Sequence, residues 1–131
     1  MQVGNLGSLI TFEVSSRKVL TFKKLTQTVG GRWTTHAVIG QKPKSEFLGA
    51  DLRSGQIEIF LNSMLGVRPR SVIENIESAI ESGNPLTLVV GGKQIGSNRW
   101  VITKMSETWN EVILDGRLVS ANVTLTLQEY V

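Results

Sequence analysis

Cysteine is absent from this sequence of 131 residues, and histidine occurs once, at His36. Without cysteine the chain can form neither a structural disulfide nor a thiolate metal site. Three glutamates, Glu74, Glu77 and Glu81, are close in sequence, but on a helix they would lie in a row rather than around a point. The sequence therefore predicts no metal ion and no cofactor.

Long apolar runs are also missing. The first twelve residues contain no lysine or arginine, which a signal peptide needs ahead of its apolar segment. No apolar stretch reaches the length of a membrane span. We therefore expect a soluble protein that is made inside a cell and has no membrane partner.

Few residues are suited to catalysis. His36 lies beside Thr34 and Thr35 in a predicted strand, where a single histidine more often packs or donates a hydrogen bond than acts as a base. The two aspartates, Asp51 and Asp115, give no credible acid member for a Ser-His-Asp triad. The sequence GGKQIG at 91–96 lacks the Lys-Ser/Thr pair of a phosphate-binding loop, so its glycines are interpreted as turns. We predict no enzymatic activity.

The net charge of +3, from 14 basic and 11 acidic residues, is small and spread along the chain. A nucleic-acid-binding protein usually has a denser basic stripe with aromatic residues between the charges. We therefore predict no specific nucleic-acid partner. The basic residues that do cluster are Arg17, Lys18, Lys23, Lys24, Lys42 and Lys44.

One segment predicts a helix of more than two turns, over about 69–82. Pro69 suits a first helical turn, and Gly83 followed by Pro85 is a stop signal. An apolar face repeats at helical spacing between these boundaries, through Val72, Ile73, Ile76, Ala79 and Ile80. We expect this face to pack against a sheet.

The opposite side of this helix carries Glu74, Glu77 and Glu81, with Arg70 placed to offset only the first. Two interpretations are open. The glutamates form either a solvated surface or a docking surface for a basic patch on another subunit, for which Arg17, Lys18, Lys23 and Lys24 are candidates.

The rest of the chain predicts strands. Alternating or short apolar segments lie at 9–14, 19–25, 32–39, 56–62, 86–90, 93–95, 99–105, 108–114 and 117–127. Residues 15–17 are expected to turn, 26–31 to form a loop or hairpin tip, and 46–49 to be irregular, while Asp115-Gly116 gives the strongest hairpin signal. The order predicts one α+β domain over 1–131, mainly an antiparallel β-barrel or sandwich with one helix packed against the sheet.

Two aromatic residues are candidates for an interface. Phe60 falls on the polar side of the predicted strand 56–62, and Trp109 lies between Thr108 and Asn110. Aromatic residues near basic strands would also suit a small barrel that binds single-stranded nucleic acid, so this function is kept as an alternative.

Many short segments, in order along nearly the whole chain, resemble the GpU-type tail proteins of contractile-tailed bacteriophages and phage-tail-like bacteriocins. These segments are GNLG at 4–7, FEVSS at 12–16, VLTF at 19–22, RW at 32–33 with His36 three residues beyond, KP at 42–43, EFLG at 46–49, GVRPR at 66–70, LVVGG at 88–92, WVIT at 100–103, SETW at 106–109 and LTLQEY at 125–130.

The resemblance implies a non-enzymatic structural component of a contractile injection system, with a fold related to tail-tube proteins. It implies a ring, commonly six-fold, that initiates or connects the tail tube at the baseplate. The implied partners are further copies of the chain and the tail tube, baseplate hub and sheath proteins, in a virion tail assembled in the bacterial host cytoplasm. A terminator ring at the head-proximal end is the alternative within this class.

A ring of identical subunits needs two different complementary surfaces on each copy. The candidates from the sequence are Arg17, Lys18, Lys23, Lys24, Phe60, Glu74, Glu77, Glu81 and Trp109. The polar final strand through Tyr130 contains no proline, so we also expect it to pair with a neighbouring sheet.

Overall fold

The computed structural model describes residues 2–14, 19–113 and 115–131. The described residues form eleven strands, one α-helix and a short 3₁₀ turn at Ser63–Leu65. The strands are β1 Gln2–Leu6, β2 Ile10–Val14, β3 Val19–Leu20, β4 Phe22–Thr28, β5 Gly31–His36, β6 Lys44–Ala50, β7 Ser54–Asn62, β8 Leu88–Val90, β9 Lys93–Gln94, β10 Arg99–Val112 and β11 Leu118–Tyr130. The helix, α1, is Pro69–Ser82.

The strands pair only in antiparallel fashion and form three sheets. One sheet has the order β3-β2-β1-β8-β9, a second has the order β10-β11-β7-β4, and β5 and β6 form a two-stranded ribbon. The sheets do not close into a barrel. Of the two predicted architectures, the α+β sandwich is therefore confirmed.

Helix α1 has the predicted boundaries. Pro69 occupies the first turn of the helix. Gly83 ends the helix in the left-handed conformation (φ 69°), which residues with a side chain rarely adopt. The N–H of Gly83 donates to the carbonyl oxygens of Ala79 (3.1 Å) and Ile80 (3.2 Å). Ile73 and Ile76 are fully buried, so the apolar face that the sequence predicts is the packed face.

The core lies between the two larger sheets and α1. From the four-stranded sheet it receives the alternating apolar residues of β7 and β11, as predicted; from the other sheet it receives apolar residues of β1, β2 and β8. Trp100, at the start of β10, is buried, and its indole N–H donates to the carbonyl oxygen of Ile95 at 2.9 Å. None of the helices in the described ranges is long and apolar enough to cross a membrane.

Several predicted boundaries are wrong. The predicted loop 26–31 belongs largely to β4 and β5, and the predicted irregular segment 46–49 lies inside β6. These residues are exposed on both sides, so they lack the alternation that marks a half-buried strand. The predicted strands 99–105 and 108–114 are joined in one strand, β10, which ends at Val112, and Leu114 lies outside the described residues. The predicted turn at 15–17 lies outside the described residues.

The N-terminal region also differs from the prediction. Residues 2–6 form a strand that the sequence analysis missed, and the predicted strand 19–25 divides into β3 and β4, which belong to different sheets. Val14 alternates with Ile10 and Phe12 along β2, but its exposed fraction is 44%, and it is the last residue of that strand.

The hairpin at Asp115-Gly116 is present but wider than two residues. The last paired residues of β10 and β11 are Val112 and Leu118. Gly116 has a φ of 82°, and its N–H donates to the carbonyl oxygen of Ile113 at 2.8 Å. The turn therefore needs a glycine at the predicted position.

Candidate assembly surfaces

The acidic row, defined as Glu74, Glu77 and Glu81, lies on the exposed side of α1. Among the described residues, no lysine or arginine forms an ion pair with any of the three. Arg70 was expected to offset Glu74, but its guanidinium lies instead over the ring of Trp109, 5.7 Å from the centroid. The row thus presents three carboxylates that nothing in the described chain neutralises.

The basic residues of β4 are partly engaged within the chain. Lys23 is the extra residue of a β-bulge, and its Nζ donates to Oδ1 of Asn122 at 3.2 Å. Lys24 is exposed and pairs in register with Glu58 of β7. Arg17 and Lys18, the other two members of the predicted basic surface, lie outside the described residues.

Phe60 was expected to be exposed, but it is only half exposed. The Nζ of Lys23 lies 5.2 Å from its ring centroid, an arrangement typical of a cation–π contact. Because Lys23 covers one face of the ring, Phe60 is a weaker stacking platform than the sequence suggested.

Trp109 has an exposed fraction of 41% and lies on β10. Its indole N–H donates to Oε1 of Glu107 at 3.2 Å, while Arg70 lies over its ring. These two contacts hold the indole in place at the surface.

The sequence predicted a free sheet edge at the final strand, but the structure has its free edges at other strands. The final strand, β11, was expected to be free to pair with a neighbour, but it lies inside the sheet, with β10 on one side and β7 on the other. The outer strands of this sheet are β10 and β4. Within the described ranges, the backbone of β10 is paired on its outer side only at its start, by a bridge between Leu86 and Trp100.

The ribbon of β5 and β6, with the connecting residues 37–43, forms an arm. No third strand in the described part of the chain pairs with this ribbon, and nearly all residues of the arm are exposed. Trp33 and Phe47 pack edge to face with ring centroids 5.0 Å apart, yet they remain 63% and 55% exposed. Nε2 of His36 lies within hydrogen-bond distance of Oε2 of Glu46, and no lysine or arginine among the described residues forms an ion pair with a carboxylate.

Residues 2–14, 19–113 and 115–131 contain no group of three or more side chains of histidine, cysteine, aspartate and glutamate that could hold a metal ion. His36, the residue first weighed as a catalytic base, is exposed and paired with Glu46.

The sequence profile of the family described as Phage P2 GpU matches residues 8–131. The chain belongs to the GpU family. The resemblance drawn from the short motifs is thereby confirmed, and the family indicates a structural protein of the phage tail. No curated protein matches the chain.

Sequence reasoning missed two surfaces of this GpU protein. One is the arm. The other is a hollow of about 710 Å³ at the start of α1, lined in part by Arg68, Arg70 and Arg117. The first turn of α1 has no acidic residue and no side-chain cap, so its free N–H groups add to the positive charge there. The sequence analysis used Pro69 of the segment GVRPR as a helix start and Arg70 as a partner of Glu74, but it did not consider Arg68 and Arg70 together as a basic surface.

Proposed function

We propose that this GpU-family chain assembles as a ring of identical subunits that initiates or connects the tail tube at the baseplate of a contractile tail. Its role is structural rather than enzymatic. The ring, with six copies as the resemblance implies, would contact the tube, baseplate hub and sheath proteins and would assemble in the cytoplasm of the bacterial host. The observation that carries this proposal is the four-stranded sheet, whose outer strands, β4 and β10 beyond residue 102, pair with no further strand in the described chain.

The strand directions in this sheet suit head-to-tail addition. Its four strands are antiparallel at every step, so β10 and β4 run in opposite directions. A second copy in the same orientation would therefore bring its β10 antiparallel to β4 of the first. An unpaired edge readily adds a strand in this way, and repetition around an axis gives the heterologous contact of a ring.

The charges of the two edges also favour pairing with each other. Strand β4 carries Lys23 and Lys24 and no acidic residue, whereas β10 from residue 103 onward carries Glu107 and Glu111 against Lys104. Unlike charges on facing edges stabilise pairing, whereas an edge facing its own copy would place like charges together. We therefore expect β4 of one copy to pair with β10 of another copy rather than with a second β4.

Disulfide trapping tests this proposal, because the chain has no cysteine of its own. Lys24→Cys is combined in turn with Lys104→Cys, Ser106→Cys or Thr108→Cys, which sample the possible registers. A disulfide requires Cα atoms about 4.4–6.8 Å apart, so only the correct register cross-links efficiently. We expect one of the three pairs to give a ladder of covalent oligomers on a non-reducing gel.

The matched control is Lys93→Cys with Ser106→Cys, because Lys93 lies on β9 of the other sheet. It should give no ladder beyond a dimer. If none of the three test pairs exceeds the control in assembled tails, edge pairing is wrong. A gold label on the trapped protein then gives its position: the baseplate end supports the proposal, and the head-proximal end identifies a terminator ring instead.

A further inference from the structure

The arm is a two-stranded ribbon with almost no packing against the rest of the described chain. A two-stranded ribbon is marginally stable in water unless it packs on something, and this one is joined to the body at its base, where the N–H of Asp51 donates to the carbonyl oxygen of Gly30 at 3.0 Å. Its large apolar side chains, Trp33, Phe47 and Leu48, are all more than half exposed. Such exposure in one segment marks an interaction surface.

The two faces of the arm differ. Trp33 pairs in register with Phe47 and Thr35 with Ser45, which gives one face its aromatic residues. His36 pairs with Lys44 and Thr34 with Glu46 on the other face, to which Arg32 also belongs by alternation along β5. The arm therefore carries its charges on one side, and these charges indicate what it contacts.

The arm is basic and α1 is acidic. The arm contains Arg32, Lys42 and Lys44 against Glu46, a net charge of +2 with His36 neutral, whereas α1 contains three glutamates against Arg70, a net charge of −2. Within the described part of one chain, no lysine or arginine of the arm forms an ion pair with a glutamate of α1, and the only contact printed for Glu46 is with His36. Both sets of charges are therefore available to another molecule.

Their spacing also matches. Lys44 lies opposite His36 in the ribbon, and His36 is four positions after Arg32 on β5. Arg32 and Lys44 are therefore about 13 Å apart along the ribbon. Glu74 and Glu81 are seven positions apart on α1, which separates them by about 10.5 Å along the helix. Arginine and lysine side chains are long enough to take up the difference.

We propose that the arm of one copy docks on α1 of a second copy, with Arg32 and Lys44 facing the acidic row. This inference rests on the proposed ring, because it needs two copies held side by side. It assigns the glutamates a partner other than the basic residues of β4, where Lys23 is already bound to Asn122. Since α1 and the arm are different surfaces, the contact is heterologous and adds to the edge pairing.

Carbodiimide cross-linking tests this contact directly. The reagent joins a lysine amine to a carboxylate only where the two touch. It is applied to the covalent oligomers trapped through β4 and β10, prepared from isotopically heavy and light protein that have been mixed. We expect peptides in which Lys42 or Lys44 of one isotope is joined to Glu74, Glu77 or Glu81 of the other.

The control replaces Lys42 and Lys44 by arginine, which keeps the charges but does not react. The oligomer ladder should persist while these cross-linked peptides disappear. A ladder without any arm-to-helix peptides in the original protein overturns the docking inference and leaves the ring proposal standing. Failure of the ladder itself overturns the ring proposal, and the docking inference with it.

Charge reversal gives a second, independent test. Arg32→Glu with Lys44→Glu should weaken self-association about tenfold at low salt, because the two proposed surface pairs are lost and replaced by repulsion. Adding Glu74→Lys and Glu81→Lys should restore it. Lys93→Glu is the control, since it reverses a charge on β9. Equal association by all variants in sedimentation measurements overturns the inference.

Discussion

The guanidinium of Arg70 lies over the indole ring of Trp109, and this contact fastens the first turn of α1 to β10. It joins a residue at the start of the helix to one near the far end of a long edge strand. Because Arg70 contacts Trp109 rather than Glu74, the acidic row has no cation from the described part of the chain. A structural contact and an assembly surface thus depend on the same arginine.

Replacing Arg70 by alanine should lower the free energy of unfolding by about 0.5–1 kcal/mol, the range for an exposed cation–π contact. Arg68→Ala is the control, because Arg68 is also exposed and has no aromatic partner in the described chain. Urea unfolding of both variants measures the difference. Equal midpoints would mean that the contact contributes nothing to stability.

Trp100 and Trp33 should contribute very different amounts to the free energy of unfolding. Trp100→Ala removes a buried side chain and its hydrogen bond to Ile95, so we expect a loss of about 3–5 kcal/mol. Trp33→Ala removes an exposed ring of the arm and should change the free energy of unfolding by no more than about 0.5 kcal/mol. Similar losses at the two positions in urea unfolding would contradict this assignment of core and arm.

Gly4 should not accept a side chain. A Cβ atom there would lie 2.3 Å from the carbonyl oxygen of Val89, on the neighbouring strand. Gly4→Ala therefore has to move β1 away from β8, at a cost of about 1–3 kcal/mol. Gly30→Ala is the control, because nothing lies within 4 Å of its added Cβ. Thermal unfolding should separate the two variants, and equal melting temperatures would show that the strands move apart freely.

The carboxylate of Glu129 should make stability depend on pH. Its pKa lies below the ordinary value of 4.5, chiefly because Asn98 donates a side-chain hydrogen bond (2.8 Å), aided by the backbone N–H of Arg53 (3.1 Å) and the charge of Arg53. These interactions stabilise the fold fully above the pKa of the unfolded chain. Their contribution is lost as the pH falls through the lower pKa of the folded chain.

Asn98→Ala should raise the pKa of Glu129 toward 4.5, as measured by NMR titration of its carboxyl carbon. The substitution should also lower the free energy of unfolding more at neutral pH than at a pH below the pKa of Glu129 in both the folded and the unfolded chain. Asn84→Ala, at an exposed position without a described partner, serves as control. An unshifted titration of Glu129 in Asn98→Ala would contradict the assigned cause.

The sequence predicted those elements whose burial follows a regular period. Helix α1 has a proline start, a glycine end and an apolar stripe, and strands β7 and β11 alternate between buried and exposed residues. Each of these signals is local, so pattern and structure agree. The family could also be recognised, because its motifs are distributed along nearly the whole chain.

The arm and the full length of β10 could not be found in this way. Trp33 and Phe47 of the arm are exposed despite being large and apolar, and most of β10 after Ile102 has little cover on either side. The surface contacts are also long-range: Lys23 meets Phe60 and Asn122 only because β4, β7 and β11 are brought together by the fold. The sequence alone cannot show which lysines and arginines already contact another side chain of the folded chain.

The irregularities of β10 have a consequence for how many copies fit together. Its pairing with β11 shifts between Ile102 and Lys104, and shifts twice more between Trp109 and Val112. Each such insertion bends a strand and increases its twist. If copies join through this strand, its curvature fixes the angle between neighbours, and that angle decides whether the series closes on itself or grows as an open filament.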